Sequence, residues 1–124
     1  MGSMFANCSS LTDLMGLHEW DTSSVTYMSS MFANCSSLTS LDLSSWNVRS
    51  VEGFENMFYN CSKLTTIGDL SGWCACLMMG GMFYNCSVLT ADCSSWDLFD
   101  AGDMISHYDF NTNAPGVIPP KWTN

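Results

Sequence analysis

Positive charge is almost missing from this chain. Arg49, Lys63 and Lys121 face 12 Asp and Glu residues, which leaves a net charge of −9. Nucleic-acid binding is excluded on that ground, because neutralising phosphates takes clustered Lys and Arg. Electrostatic adsorption to anionic lipid fails for the same reason. Long hydrophobic runs are also missing, and none approaches the roughly 18 apolar residues of a membrane span. No basic start followed by an apolar stretch marks a secretory leader. Met1-Gly2-Ser3, followed at once by a repeated block, reads as a cloning remnant on an excised segment. Catalytic fingerprints are lacking too: there is no GxSxG, P-loop, HExxH or dinucleotide-binding motif. His18 and His107 have no Ser, Cys or acid at a catalytic spacing, so an enzyme is not expected. Charged residues make up only 12% and apolar residues 47%, which allows a continuous core beneath a surface of Ser, Thr, Asn and Gly.

What the chain does have is repetition. MFANC at Met4 and at Met31 is followed by MFYNC at Met57 and at Met82, spacings of 27, 26 and 25 residues (4 to 31, 31 to 57, 57 to 82). Each block is followed by Ser-x-Leu-Thr and then by a Trp. A fixed apolar skeleton at such a period is the mark of units that cover one another's hydrophobic faces. Leu38 to Trp46 reads LxxLxLxxW, in which Leu41 and Leu43 alternate inward as in a short strand. Leu11 to Trp20, Leu64 to Trp73 and a shortened Leu89 to Trp96 match it. Between these segments Val25, Met28, Met31, Phe32 and Cys35 fall on one face of a short helix, and Val51, Phe54, Met57, Phe58 and Cys61 repeat the pattern. Asp21 or Ser23 is placed to cap the first such helix. Gly80 and Gly81 weaken the corresponding helix in a later unit.

The expectation is therefore an α/β right-handed solenoid of about four coils, with short parallel strands on one face and short helices on the other. Residues 4–106 form the array. His107-Tyr108-Asp109-Phe110-Asn111 stands where a fifth block is due, so 107–124 reads as a degenerate repeat and C-terminal cap. Pro115, Pro119 and Pro120 there block further strand pairing.

The segments "WDTSSVTYMSSMFANCSSLTSLDLSSW" and "MFYNCSKLTTIGDLSGW" resemble the BspA-type leucine-rich repeats of bacterial surface proteins, over Met4 to about Ser106. "NAPGVIPPKW" is similar to the segment that closes such arrays. The resemblance implies that the solenoid is leucine-rich-repeat-like, and it implies an extracellular location on a bacterial cell surface and a role in adhesion or host interaction.

Several residue sets invite chemistry. Cys8, Cys35, Cys61 and Cys86 share one repeat position and read as a column of small buried thiols, with Cys93 replacing a strand Leu. Cys74-x-Cys76 lies outside the skeleton; metal and disulfide are alternatives there, but zinc takes four ligands and no second pair is present, so no metal or cofactor is expected. Asp42, Asp69 and Asp92 fall on outward positions of successive units, a solvated acidic stripe or a Ca²⁺ site. Asn7, Asn34, Asn60 and Asn85 each sit in Asn-Cys-Ser, a formal glycosylation pattern, but their place in the skeleton favours a buried side-chain ladder bonding the turn backbone. Trp20, Trp46, Trp73, Trp96 and Trp122 form a further column, core or a platform for sugars.

A constant interior with variable segments between Trp and Met points to a non-enzymatic recognition or adhesion module. Its candidate binding face comprises Tyr27, Asp42, Arg49, Glu52, Asp69, Leu77, Asp92 and Phe99, presented to a protein or glycan ligand on a host or neighbouring cell. The alternative is a structural spacer, monomeric or self-associating edge to edge.

Overall fold

The computed structural model describes residues 2–74, 78–96 and 105–122. Among the described residues there is no α-helix. The regular elements are one 3-10 turn at Leu17–Glu19 and two strands, β1 (Ala91–Asp92) and β2 (Val117–Ile118), paired in parallel. The α/β solenoid expected from the repeat pattern, with its strands and helices on opposite faces, is not what forms. The chain is a small domain built mostly of turns and coil.

The helices fail for a backbone reason. Ser30 and Asn34 both have left-handed φ values, 59° and 61°, and Asn56 and Asn60 repeat the pair at 55° and 63°. A right-handed helix holds every φ near about −63°, so two such residues four apart cannot lie inside one. The N–H groups divide their bonding accordingly. Met31, Ala33 and Cys35 donate three residues back, to Met28, Ser30 and Phe32. Phe32 and Asn34 donate instead to Met57 and Tyr59 in the next repeat, at 2.9 and 2.7 Å. The apolar spacing that reads as a helix face is the inner side of successive tight turns. At Gly80 and Gly81 the glycines serve these turns: Gly81 takes φ 66°, and Gly80 lies beneath the Tyr108 ring.

Strands are cut short by the same turn density. Leu41 and Leu43 donate to Thr66 and Ile67, but the chain bends at once where Asp42 accepts the Ser44 N–H. Neighbouring repeats therefore pair through single residues, in the rows Asp13–Ser40–Thr66 and Tyr27–Gly53–Met78–Ser106, all parallel.

Equivalent side chains nonetheless meet inside. The rings of Phe5, Phe32, Phe58 and Phe83 stack with centroids 5.4 to 5.6 Å apart, and Phe110 ends the column edge-on. Buried Leu38, Leu64 and Leu89 repeat beside them. Trp20 stacks on Trp46 and Trp73 on Trp96, while Phe54 lies against Trp73 at 5.3 Å. Gly68, an extra residue relative to the unit before, sits at φ 89° just ahead of Trp73. Trp46 and Trp96 send their Nε1–H to the carbonyls of Leu17 and Leu70 at 2.9 and 3.0 Å. Trp73, equally buried, has an Nε1–H with no partner among the described residues.

The fifth unit begins three residues later than the repeat spacing places it. Phe83 and Asn85 donate to Phe110 and Thr112, so Phe110–Ala114 is the equivalent of MFYNC and Asn113 is its asparagine. The chain then pairs β2 with β1 and folds Trp122 onto His107, ring to ring at 4.0 Å. No helix of the described residues is long and apolar enough to cross a membrane.

Candidate functional site

Three exterior rows are available to a ligand. The first contains Tyr27, Arg49 and Glu52, all exposed. Their segments lie side by side: Ser50 Oγ donates to Ser23 O at 2.9 Å, Glu52 N to Thr26 O, and Thr22 Oγ1 to Asn47 O. Tyr27 lies over Gly53, where an added Cβ would stand 2.9 Å from the ring, so the absence of a side chain there seats the tyrosine. The Glu52 carboxylate, by its charge and by a hydrogen bond, pushes the Tyr27 phenol above its ordinary pKa. The structure thus pairs Tyr27 with Glu52 and places Arg49 on the segment that runs beside Tyr27's own. Leu77 and Phe99 lie outside the described residues, as does Cys76.

Asp42, Asp69 and Asp92 form the second row, and all three are exposed. Each carboxylate is occupied by its own turn. Asp42 Oδ1 accepts from the N–H and Oγ–H of Ser44, and Asp92 Oδ1 does the same with Ser94. Asp69 accepts from the Ser71 N–H at 2.9 Å. These bonds favour the ionised form, so all three pKa values are lowered. Asp21, expected as a helix cap, makes the same turn with Ser23. Aspartate followed two residues later by serine is the local signal for this turn. An open groove of about 520 Å³ runs past Asp42 and Asp69, and it is lined also by Ser40, Thr66 and Gly68. Among the described residues no three His, Cys, Asp or Glu side chains gather as a metal site would need.

The asparagines make the third row, and here the expectation needs correction. They are exposed or half-buried, and they bond to one another rather than to the turn backbone. Asn34 Nδ2 donates to Asn7 Oδ1, Asn60 to Asn34, Asn85 to Asn60 and Asn113 to Asn85, at 2.8 to 2.9 Å. All five have φ between 58° and 63°, a region asparagine enters more readily than most side chains. One residue type thus meets two demands, the backbone turn and the ladder. Ser9, Ser36, Ser62 and Ser87 flank it, and together they line an open, uncharged groove of about 790 Å³. The sequence shows four of the five rungs; Asn113 is missed because its unit keeps neither Met, Tyr nor Cys.

Three of the four thiols expected in a buried column are packing groups, and Cys8 is exposed instead. Cys35, Cys61 and Cys86 donate to the carbonyls of Phe5, Phe32 and Phe58 at 3.0 to 3.1 Å. Burial raises all their pKa values, that of Cys86 to about 12, so no nucleophilic thiolate forms near neutrality. Cys93 is buried in the same way, Cys74 is half-buried, and Cys8 is exposed. Of the tryptophans, Trp46, Trp73 and Trp96 are buried, whereas Trp20 and Trp122 are not.

Comparison with curated proteins and with solved structures gives no match. One family model does match, over residues 1–115: DUF285, described as a Mycoplasma protein of unknown function. Its span takes in every repeat block and the asparagine of the fifth unit, and the chain therefore belongs to the DUF285 family.

Proposed function

We propose that this chain is a non-enzymatic recognition module that binds a protein or glycan on a host or neighbouring cell. The observation that carries the reading is the row Tyr27–Gly53–Met78–Ser106. It sets residues 21–27 beside residues 47–53, segments that differ between repeats, with Tyr27, Arg49 and Glu52 exposed, while Phe32, Phe58, Leu38, Leu64, Cys35 and Cys61 lie inside. A repeat scaffold of this kind tolerates change on its outer positions, because packing between neighbours does not depend on them. Cys35, Cys61, Cys86 and Cys93 are buried and Asp21, Asp42, Asp69 and Asp92 close turns, which supports binding over catalysis. Display at the cell surface belongs to the same proposal and rests on the resemblance to bacterial surface repeats.

The test is a glycan array and a panel of purified surface proteins probed with the wild-type chain, followed by Tyr27→Ala, Arg49→Ala and Glu52→Ala. Removing an exposed anchor tyrosine is expected to weaken binding about tenfold or more. The thermal midpoint should stay within a few degrees of wild type, since surface changes usually alter stability by about 0.5 kcal/mol or less. Binding unaffected by all three changes would remove this row from consideration.

A further inference from the structure

Building on the recognition reading above, we infer that Tyr27 and Tyr108 are paired stacking platforms for a neutral oligosaccharide whose pyranose rings carry equatorial hydroxyls. Both tyrosines lie on glycine. A Cβ built on Gly80 would meet Cε1, Cζ and Cδ1 of Tyr108 at 2.7, 2.8 and 3.1 Å, so the ring sets its face, not its edge, against the backbone. At Gly53 the same point lies 2.9 and 3.4 Å from Cδ1 and Cε1 of Tyr27. With one face on the backbone, each ring turns the other outward, and the two side chains are 46% and 67% exposed.

The backbone register brings the two rings together. Tyr27 pairs with Gly53, Gly53 with Met78, and Met78 with Ser106. Two residues on, Ser30 N donates to Glu55 O, Asn56 N to Gly80 O and Gly81 N to Tyr108 O, so Ser29, Glu55, Gly80 and Tyr108 hold equal positions in successive units. Tyr27 therefore reaches forward onto the third repeat, and Tyr108 reaches back onto the fourth. Both seats lie on the flank of interior repeats. With repeats about 4.7–4.9 Å apart and about 3.2–3.4 Å of rise per residue, Gly53 and Gly80 stand about 8 Å from each other on the diagonal. An extended oligosaccharide of a few residues spans that separation.

Rings held in this way suit a sugar better than a protein. A pyranose with equatorial hydroxyls has flat, apolar C–H faces that stack on an aromatic ring, while its hydroxyls project from the rim. Ser29 Oγ stands 3.1 Å from the Cβ point of Gly53, beside the Tyr27 ring, and Glu55 lies between Ser29 and Gly80 in the row. Both are half-buried, and among the described residues neither side chain has a hydrogen-bond partner, so both can bond sugar hydroxyls. A protein anchor works by entering a pocket of its partner, which a ring lying flat on glycine cannot do. Asp21, Glu52 and Glu55 outnumber Arg49 on these segments, and that balance disfavours an acidic glycan.

Isothermal titration calorimetry with cellohexaose and N-acetylchitohexaose provides the test, with a sialylated oligosaccharide as the acidic control. At least one neutral hexaose should bind, and the acidic glycan should not. Tyr27→Leu and Tyr108→Leu keep an apolar side chain over each glycine but have no flat face, so each should weaken binding about tenfold. Tyr27→Phe and Tyr108→Phe keep the face and should stay within about twofold of wild type. Saturation-transfer NMR on the unmutated protein gives a reading independent of any variant's folding: irradiating the aromatic protons should mark the sugar C–H protons. Failure of both neutral hexaoses to bind, preference for the acidic glycan, an unmarked sugar, or a Leu variant that folds and binds like wild type would each overturn the inference. A surface protein bound through Tyr27, Arg49 and Glu52 while neither hexaose binds would remove the sugar platform and leave the recognition row standing. If neither class binds, both readings fall.

Discussion

Replacing Asn60 by alanine isolates what the asparagine ladder contributes. Asn60 donates to Asn34 and accepts from Asn85, both at 2.9 Å, and holds φ at 63°. Each partly exposed hydrogen bond contributes about 0.5–1.5 kcal/mol net. Forcing a Cβ-bearing residue without a locally bonding side chain into the left-handed region costs about 1–2 kcal/mol. The two bonds and the backbone cost together predict a loss of roughly 2–5 kcal/mol, a fall in thermal midpoint of about 8–20 °C for a domain of this size. Glycine separates them. Asn60→Gly loses the same two bonds but enters this φ freely, so it should be about 1 kcal/mol more stable than the alanine variant, after allowance for its looser unfolded chain. Urea denaturation of the three proteins, read at a common slope, gives both differences. An alanine variant as stable as the glycine variant would refute the claim that asparagine is there for its backbone conformation. A glycine variant as stable as wild type would refute the ladder.

The buried indoles provide a second test: Trp96→Phe removes a bond to the Leu70 carbonyl, which keeps the Trp73 N–H as a donor, whereas Trp73→Phe removes an N–H that has no partner among the described residues, so Trp96→Phe should be the more damaging by about 0.5–1.5 kcal/mol in urea titrations. Equal losses would show that volume alone matters. In native protein at pH 8, Cys8 should react with a thiol reagent within minutes while Cys35, Cys61, Cys86 and Cys93 stay protected until denaturant is added, a contrast read by mass spectrometry of the labelled peptides. The pH dependence follows from Asp21, Asp42, Asp69 and Asp92, whose folded pKa values lie below the unfolded value of about 3.9. Their contribution is fully present above that unfolded value and is lost as pH falls through the lower folded values. Thermal midpoints should therefore drop below about pH 4, and Asp42→Asn, which keeps an acceptor for Ser44 but does not titrate, should flatten that fall.

Much of the interior is legible in the residue pattern. The Phe, Leu and Cys columns follow from one position recurring every 25 to 27 residues, and side chains at equal positions of stacked units must meet. The outward placement of Asp42, Asp69 and Asp92 is readable from the alternation around Leu41, Leu43 and their equivalents. Their employment within turns is also local, since it needs only a serine two residues on. The helices are misread because turns that bond three residues back bury residues at nearly the same spacing as a helix face. Apolar periodicity cannot tell the two apart, whereas the asparagine preceding each cysteine, a residue tolerant of left-handed φ, was the available sign.

The amino-acid sequence alone determined that this is a repeat protein poor in cations, without a catalytic motif, and with Met, Phe, Cys, Leu and Trp set at fixed positions. Those properties depend on which residues recur and how far apart. Only the tertiary structure decided that the chain builds turns in place of helices, that asparagines form a ladder on the surface, and that Asn113 supplies its last rung. Each of these depends on where a backbone N–H finds its acceptor. For Phe32, Asn60 and Asn85 that acceptor lies in the next repeat, about 25 residues along the chain, beyond the reach of local sequence pattern.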